Sequence, residues 1–269
     1  MVNKIMKKVF GIPSWLPDVE PARSLRIERI NRLFKQLDYL WPNIDILVIA
    51  QNWKDFKPIE TKNKQIIKHY PELGILGARK QLREEFLSLD YDYIIMFDDD
   101  AIIKCDNDHA HLDYIAEVEK HPNGFCFIPG SDSKYHPYIG AQLNLCAISR
   151  FIYENEPIVE IDPQKKEGFE DSVYSCLLHH KWAKYEFLPP KTIRPIQFMN
   201  PNEKAPSTWF EGARKTGSLT IAHRNTNKLN EYIYIHKKLP ENYRNMLEKP
   251  KPDLGRNNDG SEKGTYLYF

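Results

Sequence analysis

The sequence predicts an α/β protein: a mainly parallel sheet flanked by helices, then a second subregion and a C-terminal tail. Three observations predict it. The run Tyr93-Ile94-Ile95-Met96-Phe97 is apolar without alternation, as in a strand buried on both faces. Apolar residues recur at helical spacing near 30–41 and 74–89. Up to residue 100 the segments run strand, helix, strand, strand, helix, strand, the order of parallel strands joined by crossovers in a nucleotide-binding half-fold.

Taken in order, Lys8-Val9-Phe10-Gly11-Ile12 reads as the first strand, closed by Pro13. In the helix that follows, Ile30, Leu33, Phe34, Leu37, Leu40 and Trp41 share one face, with Arg26, Glu28, Arg29, Arg32 and Lys35 assigned elsewhere. Pro42 and Asn43 stop it. Ile44–Ala50 and Gln65–Tyr70 are the next strands. Gly74–Leu89 is a second helix with Ala78, Leu82, Phe86 and Leu89 on its apolar side. Beyond Asp100 the rhythm changes. A helix is expected over 112–118, strands over 124–129 and 142–148, and a short continuation over 151–154. A helix opens at Gly168-Phe169-Glu170-Asp171-Ser172, and strands are expected over 185–188 and 219–222. The expected division is a main domain over 1–239, with halves of about 1–104 and about 105–239. A tail or lid follows over 240–269, where Pro, Asn, Lys and Gly dominate.

Hydrophobic residues make up 41% and charged residues 28%, enough to bury a sizeable core. The net charge of +1 supplies no field that would make nucleic acid or acidic lipid an obligatory partner. Cys105, Cys126, Cys146 and Cys176 form no C-x-x-C pair, and Cys126 and Cys146 sit in apolar runs as small hydrophobes. The basic first residues precede no apolar region of signal-peptide length, and no apolar run approaches membrane-spanning length. The expectation is a soluble protein of a reducing, cytoplasmic compartment, with peripheral membrane attachment left open.

The apolar strand runs directly into Asp98-Asp99-Asp100. Adjacent carboxylates repel one another and lose hydration on burial unless positive charge sits among them. Strand ends are ligand positions in open α/β sheets, so the reading is a divalent cation on oxygen ligands with a phosphate beyond it. A solvated acidic turn is the alternative. Asp108-His109-Ala110-His111 reads as a solvated loop, since two His at i and i+2 do not share a helix face.

Asp98-Asp99-Asp100 at a strand end resembles the D-x-D motif of GT-A fold glycosyltransferases. Gly77-Ala78-Arg79 resembles the helix start before it in many of them, although Lys80 stands where Asn is common. Gly140-Ala141, a strand and Ser149-Arg150 resemble their donor-sugar loop. Gly168-Phe169-Glu170-Asp171 resembles their Glu-Asp motif, and His223 after Leu219–Ala222 resembles the histidine that completes the metal shell in some branches. The resemblance spans roughly residues 8–225 and would make 1–239 a catalytic domain, with 1–104 its donor half and 105–239 its acceptor half.

The resemblance implies a GT-A-like fold and a metal-dependent transfer of a sugar from a nucleotide-diphosphate donor, a UDP-sugar by preference. Asp100 would ligate Mn²⁺ or Mg²⁺, helped by His223 and Asp98. Asp98 would also face the ribose or sugar, with Asp99 assisting either role. Arg79, Gly140 and Ala141 would meet the donor; for Arg79 a surface helix charge is the alternative. Asp171 would be the general base of an inverting reaction, with Glu170 on the acceptor or sugar; a plain helix cap is the alternative. His223 could instead be structural. Trp209, in a polar Ser-Thr-Trp-Phe-Glu-Gly context, is the residue chosen for stacking on an acceptor. The acceptor could be a glycan, a lipid-linked saccharide, a protein or a modified nucleobase. Competing readings are a haloacid-dehalogenase-like phosphatase, a nucleotidyltransferase and a non-catalytic nucleotide-sugar-binding module.

Overall fold

A computed structural model describes residues 6–126 and 145–156, together with the backbone of the strands Glu186–Phe187 and Ile193–Gln197. Its strands are β1 (Lys8–Trp15), β2 (Asp45–Gln51), β3 (Gln65–Tyr70), β4 (Tyr93–Met96), β5 (Ala101–Cys105), β6 (Phe125–Cys126), β7 (Cys146–Ser149), β8 (Glu186–Phe187) and β9 (Ile193–Gln197). The helices are α1 (Ala22–Leu40), α2 (Gly74–Ser88), α3 (Ala110–Glu119) and α4 (Arg150–Asn155).

Among the described residues seven strands form one sheet in the order β3-β2-β1-β4-β7-β6-β8, while β5 and β9 pair separately. β3, β2, β1 and β4 are parallel, and β7 runs antiparallel to β4 and β6. The molecule is therefore α/β with a mixed, mostly parallel sheet. Period-two alternation sends side chains to opposite faces. Phe10, Ile12, Ile46, Val48, Tyr93 and Ile95 pack against α1 and α3 residues such as Ile30, Leu33, Leu37 and Tyr114. Val9, Leu47, Ile49, Ile94 and Met96 pack against Ala78, Leu82, Phe86 and Ile152 of α2 and α4.

Gly11 lets α2 approach the sheet. A Cβ there would sit 2.5 Å and 2.7 Å from Ile94 Cδ1 and Cγ1 and 3.0 Å from Leu82 Cδ2. Both neighbours are fully buried. Gly11→Ala is expected to lose about 1–3 kcal/mol through overpacking. An unchanged urea midpoint would mean the face has slack.

Pro13 does not close β1, which continues to Trp15 opposite Gln51. Gly11 turns its carbonyl towards β4, accepting from Phe97 N–H at 2.9 Å, so Pro13, two residues on, turns the same way. The β4 ladder ends at Gly11↔Met96. The proline's missing N–H thus falls past the last paired residue and breaks no bond. β5 is a second departure from the sequence reading, which gave 101–105 no strand. It pairs antiparallel with β9, and Gln36 of α1 holds Ile103 by its N–H (3.1 Å) and its carbonyl (3.3 Å). Asp108 and His109 are exposed as expected, but they lead directly into α3, with His111 inside that helix. Cys126 and Cys146 are buried free thiols, and burial pushes Cys146 up to about 12. Among the described residues no helix is long and apolar enough to cross a membrane.

Candidate functional site at the carboxyl end of β4

The chain lays β2 and β3 to one side of β1, then returns to lay β4 on the other. The crossovers change direction between β1 and β4, which opens a crevice at their carboxyl ends. Asp98, Asp99 and Asp100 occupy the turn that leaves β4 there; Ala101 N–H donates to the Asp98 carbonyl at 3.0 Å and directs the chain into β5.

The three carboxylates have different surroundings. Asp99 is 3% exposed and points inwards. It accepts from Ser14 Oγ at 2.6 Å and from Trp15 N–H at 3.4 Å, so a side chain continues the β1 edge where β4 has ended. Arg26 Nη2 lies 3.1 Å from its other oxygen. Burial pushes the Asp99 carboxyl up to about 6, opposed by the Arg26 guanidinium and the Ser14 hydroxyl. The side chains of Asp98 and Asp100 are 20% and 25% exposed and form the accessible pair. Asp98 meets Arg79 Nη2 at 3.2 Å. Asp100 meets Arg26 Nη1 at 2.8 Å and Arg29 Nη1 at 3.9 Å.

The counter-charge that the sequence reading sought in a cation is thus present as guanidinium groups. Arg26 and Arg29, which the sequence reading set apart from the apolar face, turn towards the aspartates. Residues 26, 30, 33 and 37 fall at i, i+4, i+7 and i+11, so Arg26 is the amino-terminal continuation of the apolar stripe of α1. That phase is the signal by which these arginines could have been found. Arg79 is buried on α2 rather than being a surface charge.

Neighbouring bonds hold the crevice in shape. Ser14 Oγ accepts from Trp53 Nε1 at 3.1 Å while donating to Asp99. Gln51 accepts from Leu73 N–H at 2.6 Å, tying the end of β2 to the start of the helix that carries Arg79. Asn52, at φ 56°, donates to the Leu16 carbonyl at 2.7 Å and to Asp18 at 2.9 Å, joining the loops after β1 and β2.

Ser149 and Arg150 lie elsewhere. Tyr93↔Ser149 pairing sets them at the amino end of β4, away from Asp98. Ser149 caps α4 by accepting from Ile152 N–H at 3.3 Å. Arg150 closes the carboxyl end of α2, donating to Phe86, Leu87, Leu89 and Tyr91 carbonyls. Gly140, Ala141, Glu170, Asp171, Trp209 and His223 lie outside the described residues.

No family model and no curated protein matches this chain in sequence. Solved structures are similar at low identity. The mannosyltransferase PcManGT from Pyrobaculum calidifontis, in complex with GDP-Man and Mn²⁺, has TM-score 0.48 and 12% identity, with 86% of this chain and 70% of that one covered. S. aureus TarS 1–349 in complex with UDP-GlcNAc has TM-score 0.47 and 10% identity, covering 88% and 83%. A197 from STIV has TM-score 0.40 and 13% identity, covering 72% and 87%. Likeness at this level carries no functional argument; the chain's own topology and site do.

Proposed function

We propose that this chain is a glycosyltransferase that moves a sugar from a nucleotide-diphosphate sugar to an acceptor hydroxyl, with a divalent cation at Asp98 and Asp100. The observation that carries the reading is the turn after β4: two accessible carboxylates held at the switch point by a third that is locked inwards.

The donor set fits Mg²⁺ or Mn²⁺. Both take oxygen ligands, and Mg²⁺ is commonly held by one or two carboxylates, with substrate phosphates and waters completing its shell. Among the described residues no three His, Cys, Asp or Glu side chains converge as a ready-made cage, so a diphosphate would complete the shell, joined in this reading by His223. When bound, the cation offsets charge developing on the departing diphosphate. The protein's part is positioning. Asp99 anchors the turn, while Asp98 and Asp100 present oxygens. Arg79, buried and paired with Asp98, orients that carboxylate and offers forked donors to the diphosphate or sugar. Asp171 takes the acceptor proton in the inverting reading, Glu170 and Trp209 hold the acceptor, and Gly140-Ala141 line the donor sugar.

The phosphatase alternative is disfavoured. Its nucleophilic aspartate normally ends the first strand of its domain, whereas here β1 ends in Ser14-Trp15 and the aspartates follow the fourth strand. A panel of nucleotide sugars, assayed for Mn²⁺- or Mg²⁺-dependent hydrolysis or transfer, tests the proposal. Turnover of one donor that stops with chelator supports it. Binding without turnover across the panel would return the chain to a binding module.

A further inference from the structure

We propose that Arg26 keeps the cation's place: its guanidinium neutralises Asp100 until a divalent cation takes that carboxylate, and then remains fixed through Asp99. The inference rests on the metal reading above and adds a residue to which sequence reasoning gave no role.

The two bonds of Arg26 are unequal in what holds their far ends. Nη2 reaches Asp99 at 3.1 Å, and Asp99 is anchored by Ser14 Oγ and Trp15 N–H. Nη1 reaches Asp100 at 2.8 Å, and Asp100 is the most exposed of the three aspartates. One end of the fork is therefore fixed and the other exchangeable. Arg26 spans two carboxylates with two separate nitrogens of one planar group, whereas a lysine ammonium would have to draw both to a single atom. Arg29 lies 3.9 Å from the same Asp100 oxygen and has no ion pair with Asp99.

Charge favours the exchange. Asp98, Asp99 and Asp100 face Arg26, Arg29 and Arg79, so the cluster is neutral as it stands. A divalent cation needs carboxylate oxygen at 2.0–2.6 Å, as is general for Mg²⁺ and Ca²⁺, and Asp100 Oδ2 is already taken by a guanidinium. Both cannot keep that oxygen without strong repulsion between cations. The Nε–H of Arg26 is buried and has no acceptor among the described residues, so within them the guanidinium is held by the two carboxylates rather than by a full set of hydrogen bonds. Released from Asp100, it stays on Asp99 with donors turned towards a phosphate that arrives with the cation. Arg26 is thus a positioning residue. It keeps the carboxylates from repelling one another in the empty site and makes metal binding weak until a diphosphate contributes.

The test uses Mn²⁺ alone, with free Mn²⁺ followed by electron paramagnetic resonance in wild type, Arg26→Gln, Arg26→Lys, Arg29→Gln and Asp100→Asn. Arg26→Gln is expected to bind Mn²⁺ about tenfold tighter, within the range over which groups around a metal site tune affinity. Arg26→Lys should gain less, and Arg29→Gln less than Arg26→Gln. Asp100→Asn should abolish the gain when combined with Arg26→Gln. If Arg26→Gln does not fold, the sign of the Arg26→Lys change decides. Should wild type bind Mn²⁺ and neither Arg26 variant bind it tighter, the inference falls and the metal reading stands. An equal gain in Arg29→Gln would reduce the effect to general charge and overturn the specific role. No Mn²⁺ binding by wild type or any variant would overturn the inference, and the metal reading would then be decided by the same titration with UDP or GDP present.

Discussion

Asp171→Asn is expected to lower the transfer rate by about 10²–10⁴-fold, the usual worth of general base catalysis, while nucleotide affinity and melting temperature stay close to wild type. Asn keeps the size of the side chain and caps a helix about as well as Asp, so a structural role alone would leave the rate unchanged. The proposed base acts only as the acceptor hydroxyl loses its proton, so its loss appears in the rate and not in ground-state binding. Single-turnover kinetics with saturating donor, alongside calorimetry of nucleotide binding, separates the two. Early melting with lost donor affinity would make Asp171 a structural residue. Full activity would leave the base to Glu170, or to no side chain in a retaining reaction.

Asp99→Ala is expected to cost about 3–5 kcal/mol of stability, the general penalty for removing one partner of a buried ion pair. The pair itself need not stabilise the fold. Burial pushes the Asp99 carboxyl upwards, so forming the anion inside has a cost that Arg26 and Ser14 only partly offset. Deleting the carboxylate nonetheless strands the Arg26 guanidinium, leaves the buried Ser14 hydroxyl without its acceptor at 2.6 Å and removes the acceptor of Trp15 N–H. Asp99→Asn retains an oxygen for Ser14 and should lose distinctly less. Urea unfolding of the two variants measures the difference. Equal, small losses would mean that Asp99 does not anchor the turn.

The parts of this architecture legible in the sequence are those with local signals. β2, β3 and α2 emerged within a residue or two, and α1 at its carboxyl end, because their periodicity or apolar runs are self-contained. The aspartates at the end of β4 were legible for the same reason: five apolar residues stop at three charges. β5 was not, because its partner β9 lies about 90 residues later. Pro13 misled because its tolerance depends on where β4 stops pairing, a tertiary fact. The counter-charge was invisible for a comparable reason: Arg26 is 74 residues from Asp100, and nothing local to α1 shows what its first turns meet. Ser149-Arg150 looked like part of a ligand loop but serves helix ends, since serines cap helices and arginines bind carbonyls wherever a chain turns.

The central claim is that the turn after β4 binds a nucleoside diphosphate through a cation on Asp100. Isothermal titration of UDP and GDP into wild type and Asp100→Ala, each with Mn²⁺ and with chelator, tests it directly. The account predicts that wild type binds one nucleotide only with Mn²⁺, and that Asp100→Ala, still folded by circular dichroism, loses this metal-dependent binding. Equal affinity in both proteins, with the same response to Mn²⁺, would contradict it.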